Sequence, residues 1–243
     1  MNRLLSIPPF FNLRHWQALL AWLAVLVLTA LLLVQCWFAL HIVWWKWMPV
    51  NNTAFMRADL GMLRSKNPQA TLKHTWVDYS SVSHTIKRAV ITSEDANFEY
   101  HEGVDWEAIQ KARDKNAKRG KVVAGGSTIT MQLAKNLFLS GSRSYVRKAQ
   151  ELIITYMLEA LWDKERILEV YLNSAEFGLG VYGVQAGAKH HFGVSAAQLS
   201  AEQAARMAAM LPRPKFYDKN RASPYLQRRT GAILRHMGGV DIP

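Results

Sequence analysis

The chain has 243 residues, half of them hydrophobic, with a formal net charge of +12 and a pI of about 9.9. That length supports one core of ordinary domain size plus a small appendage. A lone cysteine, Cys36, excludes an intramolecular disulfide, and the positive balance calls for a polyanionic partner: nucleic acid, an anionic membrane surface or a phosphate-bearing substrate.

The first element is apolar. No Asp, Glu, Lys or Arg occurs between Arg14 and Lys46, and "ALLAWLAVLVLTALLLVQCWFAL" fills most of the gap. A bilayer core of about 30 Å needs roughly 20 helical residues, and this run supplies them. Arg3 and Arg14 precede it without an acidic residue, which places the N-terminus in the cytoplasm; Trp44, Trp45 and Trp47 follow where an aromatic belt belongs. The run is too long for a signal-peptide core and no small-x-small site follows it. A buried core helix is the remaining alternative. The expected organisation is a cytoplasmic N-terminus over 1–16, an anchor over 17–45, a stem and membrane-proximal segment over 46–76, and one mainly α domain over 77–243.

Within the stem, Pro49, Gly61 and Pro68 are breakers, and Phe55, Met56, Leu60, Met62 and Leu63 read equally as a membrane-facing group or as ordinary core. Helix signals then dominate. "SVSHTIKRAVITSED" opens on serine caps, Asp105 can cap "WEAIQKARDKNAK", and a helix starts near Ser127 in "GGSTITMQLAKNLFL". Asp163 can cap "KERILEVYL", and Ser200 with Gln203 makes a capping box for "AEQAARMAAML", which Pro212 and Pro214 end. Alternating strand patterns are scarce.

Four segments carry unusual polar residues. "ITSEDANFEYHEGVDW" sets Glu94 and Asp95 side by side among aromatics and glycine; by itself it reads as a solvated helix end. Thr128, Gln132 and Lys135 stand at i, i+4 and i+7, a polar face with a cation beside a glycine-rich approach whose N–H groups are free for an anion. Arg147 and Glu151 stand at i and i+4, which spacing alone reads as a surface ion pair. "YLNSAEFGLGVYGVQAGAKHHFG" is turn-rich; adjacent His190 and His191 cannot share a helix face, so no metal site is expected there.

Together these segments resemble the glycosyltransferase domain that polymerises peptidoglycan from a lipid-linked precursor, found in bifunctional penicillin-binding proteins and in monofunctional enzymes. Five motifs occur in order: "EDANFEYHEGVD", "GGSTITMQLAKNLFL", "RKAQE", "ILEVYLNSAEFGLGVYGVQAGAKHHFG" and "LSAEQAARMAAMLPRPKFY". The match spans roughly 77–217 and leaves no room for a transpeptidase domain, so the monofunctional type is implied. Met131 stands where a first glutamine is usual, and Gly187 and His191 replace the commoner alanine and tyrosine. Gly187 in a helix costs up to about 1 kcal/mol relative to alanine.

The resemblance implies a lysozyme-like fold, Glu94 as general base and Glu151 as the second essential carboxylate. It implies a substrate-binding set of Ser127, Thr128, Gln132, Lys135, Asn136 and Arg147, with Asp95 mainly structural. The implied reaction elongates glycan from lipid II, forming a β-1,4 bond as undecaprenyl pyrophosphate leaves. Lys135 and Arg147 would meet the charge that grows on the diphosphate. No cofactor is demanded, although a divalent cation such as Mg suits a diphosphate. Expected partners are lipid II, the growing glycan chain, the membrane, and other cell-wall synthesis or division proteins. Nucleic acid is not expected, because the topology puts the basic domain outside the cytoplasm, on a bacterial inner membrane. Two rivals stay open: a lytic transglycosylase or muramidase on finished glycan, and a non-catalytic anchored assembly protein.

Overall fold

The structure, a computed structural model, describes residues 13–121, 125–142 and 144–243. Arg3 and the side chain of Arg14 lie outside them. The chain divides into a unit ending at His41 and a compact unit from Ile42 to Pro243. Helix α1 (Leu13–Trp44) makes up the first unit and ends in the second. Its stretch His15–Trp44 is long and apolar enough to cross a membrane, and none of its most apolar window is buried. A core helix would be covered; this one leaves leucines such as Leu20, Leu26 and Leu32 bare.

The compact unit is mainly α, as expected. Its elements in order are α2 (Ala54–Arg64), β1 (Lys73–His74), α3 (His84–Glu94), α4 (Trp106–Arg119), α5 (Ile129–Phe138), α6 (Tyr145–Leu161), α7 (Lys164–Ser174), β2 (Glu176–Gly178), β3 (Val181–Tyr182), α8 (Val184–Phe192), α9 (Ala201–Met210), α10 (Pro214–Lys219) and α11 (Pro224–His236). Among the described residues the strands form one small sheet in the order β1-β3-β2, with β1 parallel and β2 antiparallel to β3.

Helix starts follow the capping chemistry. Asp105 accepts from the Ala108 N–H at 2.7 Å, Asp163 from that of Arg166 at 2.7 Å, and Ser200 with Gln203 forms the reciprocal box. Ser83 caps α3. The expected start near Ser127 falls at Thr128, which caps α5: its hydroxyl accepts from the Met131 N–H at 3.1 Å and donates to the Gly103 carbonyl at 2.6 Å.

The core has two centres. Helix α5 packs on α6 and α7 through Leu133, Leu137, Ile154, Leu158 and Leu168, all fully buried. Each such side chain contributes about 1.5–3 kcal/mol. Helix α9 presents Ala204, Ala205, Ala208 and Ala209, and this small-residue surface lets α3 and α11 approach closely. The segment 46–76 carries α2, which packs against α5. Its five apolar residues divide between the two readings: Met56 is buried, Phe55, Leu60 and Leu63 are partly covered, and Met62 is exposed.

Candidate active site

Glu94 closes α3, and Asp95 is the residue that follows its last turn. A helix C-terminus carries partial negative charge and orphan carbonyls, so two carboxylates there need compensation. Asp95 finds it inward: it accepts from the Ile129 N–H at the start of α5 at 3.0 Å and meets His101 Nε2 at 2.9 Å. Buried on those partners, Asp95 fastens α3 to α5 and is not free for substrate.

The Glu94 carboxylate stays at the surface of a groove. Gln132 Nε2 donates to its Oε2 at 3.0 Å, and Ser93 Oγ donates to its Oε1 at 2.9 Å. The Gln132 amide is itself fixed, because the Tyr171 hydroxyl donates to its Oε1 at 3.1 Å. From α11, Arg229 brings a guanidinium nitrogen to 3.7 Å from Glu94 Oε1.

The Glu94–Gln132 hydrogen bond links two recesses, Glu94 lining the first and Gln132 the second. One, of about 190 Å³, is lined by Ser93, Glu94, Asn97, Gly125, Gly126, Ser127 and Thr128. Gly126 is required there, since a Cβ would lie 2.8 Å from the Ile109 Cα. The other, of about 210 Å³, holds Gln132, Lys135, Asn136, Ser174 and Glu176 beside Phe55 and Tyr171. Burial pulls the Lys135 ammonium below the usual lysine range; Glu151 opposes that fall, and the nearby Arg147 and Lys148 add to it. Burial likewise raises the Glu176 carboxyl to about 7; Lys215 works against this rise and Asp59 adds to it. Lys215 Nζ binds Asp59 at 2.6 Å and stands 3.4 Å from Glu176 Oε1, too poorly placed to give that oxygen a hydrogen bond.

The "RKAQE" segment is not the exposed ion pair that its spacing suggests. Glu151 is 2% exposed, on the inward face of α6, and its two oxygens take Arg147 Nη1 and Lys148 Nζ respectively. A buried carboxylate held by two cations fixes both, although Lys148 is 44% exposed and solvent screens its share of the contact. Arg147 is further anchored through Nε to the Ser142 carbonyl at 2.6 Å.

The predicted residues therefore separate. Gln132, Lys135 and Asn136 line one recess, Glu94 lines the other and is tied to the first through Gln132, and Glu151 acts on Lys135 electrostatically while holding Arg147 and Lys148. Ser127 lines the recess on the Glu94 side. Thr128 lines that same recess rather than the one with Gln132 and Lys135, and its hydroxyl is spent on the cap and on Gly103. The sequence reading missed Tyr171, Glu176 and Arg229, whose partners lie far away in sequence, and Ser93, which bonds its neighbour Glu94 but takes Arg229 from 136 residues away. It also missed Lys148, which the i, i+3 spacing to Glu151 could have revealed.

His190 and His191 are also closer than their adjacency implied. They sit on the last turn of α8 with ring centroids 4.8 Å apart, and with Asp218 they form a three-ligand grouping. Protein partners already occupy it: His190 Nε2 binds Asp218 at 2.8 Å, His191 Nε2 binds the Phe177 carbonyl at 2.6 Å, and Arg221 binds Asp218 at 3.0 Å.

A family model described as "Transglycosylase" matches residues 62–238. A "Biosynthetic peptidoglycan transglycosylase" of Herminiimonas arsenicoxydans is 59% identical over 93% of this chain and 98% of its own length. Proteins of the same name from Burkholderia pseudomallei (54% identical, over 88% of this chain and 84% of the relative) and Bordetella pertussis (50%, over 94% and 96%) are similar at nearly full length. A glutamate hydrogen-bonded to a glutamine whose recess also holds a half-buried lysine, on a mainly α, lysozyme-like domain, thus accompanies a match over most of the sequence: the chain belongs to the transglycosylase family.

Proposed function

We infer that the protein is a peptidoglycan glycosyltransferase that elongates glycan chains from lipid II. The observation that carries the reading is the pairing of Glu94 with Gln132, which lines a recess together with Lys135. Glu94 takes the proton of the acceptor's GlcNAc 4-hydroxyl. The oxygen attacks the anomeric carbon of the chain's terminal MurNAc, and the bond to undecaprenyl pyrophosphate breaks on the opposite face. An α-linked donor so gives a β-1,4 bond; the proton rests on Glu94 and the electron pair leaves with the diphosphate. Lys135 and Arg147 meet the charge that develops there, in a setting where burial strengthens the attraction. Glu151 orients Arg147 and Lys148 and keeps the local field from being wholly cationic. The relatives' printed name and near-complete coverage support the biosynthetic over the lytic reading. The apolar α1 suits an anchor in a bacterial inner membrane, N-terminus inside and catalytic unit outside, where the substrate's lipid tail keeps it within reach.

Purified protein incubated with lipid II should yield glycan polymer resolvable by length, and should leave cross-linked sacculi undigested. Glu94→Gln should stop polymerisation with the fold intact, by about 10²–10⁴-fold, the usual contribution of a positioned base. Soluble muropeptides released from sacculi with lipid II untouched would make the lytic reading the better one, and near wild-type polymerisation by Glu94→Gln would remove Glu94 as the base.

A further inference from the structure

Every hydrogen bond that fixes Glu94 depends on another side chain behind it. On the Oε2 side the chain is Tyr171 to Gln132 to Glu94. On the Oε1 side the Ser93 hydroxyl has one proton and two acceptors within reach, Glu94 Oε1 at 2.9 Å and the Ala208 carbonyl at 3.2 Å. Arg229 approaches the same hydroxyl. Its Nη2 donates to Ser93 Oγ at 3.0 Å and to the Ser93 carbonyl at 3.0 Å, and stands 3.7 Å from Glu94 Oε1. All three contacts come from this one nitrogen, which carries two protons for the two Ser93 oxygens. By donating into the hydroxyl's lone pair it leaves the hydroxyl proton for Glu94, the charged and stronger acceptor. The Ser93 carbonyl is one of the orphan acceptors at the end of α3, so the same cation also offsets the partial negative charge on which Glu94 sits.

The geometry points to Arg229 as a positioning residue for Glu94: from α11 it sets the orientation of the carboxylate through Ser93 without touching substrate. The role rests on Glu94 being the base, as argued above. It assigns to the C-terminal helix a share in a reaction whose other groups come from α3, α5 and α6. Misplacing a reacting group by about 1 Å costs on the order of 100-fold in rate, whereas substrate affinity depends on other contacts.

The test is steady-state kinetics of full-length wild type, Arg229→Met, Arg229→Lys and Ser93→Ala on lipid II, with folded fractions measured by thermal melting. Arg229→Met should lower kcat by about 10- to 100-fold with KM within about threefold of wild type. Arg229→Lys, which keeps the charge and one donor reach, should recover part of that loss. Should Arg229→Met fail to fold, Ser93→Ala removes the same link with little change in volume and should still lower kcat about tenfold at unchanged KM. A helix-capping role alone would lower the melting temperature and leave kcat per folded molecule at the wild-type value; that result, or a loss confined to KM, overturns the proposal. A wild type that leaves lipid II unconsumed overturns the polymerase reading itself, whereas an active wild type beside unimpaired Ser93→Ala and Arg229 variants overturns only the role of Arg229.

Discussion

Glu176 is the residue whose surroundings conflict most with its charge. It enters the groove recess from β2 with one oxygen lacking a hydrogen bond, and Asp59 competes with it for Lys215. Asp59 wins, since it also accepts from the Tyr182 hydroxyl at 2.7 Å. Burial therefore raises the Glu176 carboxyl from its ordinary 4.5 to about 7 in the folded protein. A raised folded value means that the stability this group contributes is complete below about pH 4.5 and is lost as pH climbs through about 7. Over that window the loss amounts to at most about 3 kcal/mol. Glu176→Gln keeps the shape and cannot ionise, so it should gain stability relative to wild type as pH rises from 4 to 8. Denaturant melts at the two ends of that range measure it; an equal difference between the two proteins at both would refute the assignment.

At the scale of elements, α8 shows packing overruling propensity. Helix propensity alone favours alanine over Gly187 by about 1 kcal/mol. A Cβ there, however, would lie 2.8 Å from Met207 Cε of α9 and 2.9 Å from Phe177 Cγ of β2. Overpacking of that kind costs about 1–3 kcal/mol, the larger magnitude, and the Phe177 ring is fully buried and cannot swing away. Gly187→Ala should thus destabilise the protein by about 0–2 kcal/mol, the difference of those two ranges, and Met207→Ala in the same chain should relieve part of it. Urea midpoints of the single and double variants check this. The departure from the commoner alanine is in this way a local trade with large neighbours.

For the whole molecule, the question is where the catalytic unit lies relative to the membrane. The proposed chemistry would need it on the side where lipid II presents its sugars, and the stretch His15–Trp44, free of Asp, Glu, Lys and Arg with Arg3 and Arg14 ahead of it, predicts an N-terminus inside. A reporter active only outside the cytoplasm, fused after Pro243, should be active. A cytoplasm-only reporter active at the same site would overturn both the topology and the extracytoplasmic reaction.

Local rules were enough for much of this protein. The absence of charge over one long run, the caps Asp105, Asp163 and Ser200, and the scarcity of alternating strands specify an apolar helix and a mainly α domain, because those signals act within a few residues of themselves. Five ordered motifs carried the resemblance for the same reason: their residues are near in sequence. Tertiary structure decided what each polar group is for. The Thr128 hydroxyl is spent as cap and clasp, Glu151 becomes a buried carboxylate held by Arg147 and a half-exposed Lys148, and Asp95 becomes the fastening of α5. Arg229 reaches Ser93 across 136 residues of sequence, and Glu176 meets Lys215 and Asp59 from three different elements. Burial and hydrogen-bond satisfaction depend on which distant segments pack together, so no local pattern could encode them.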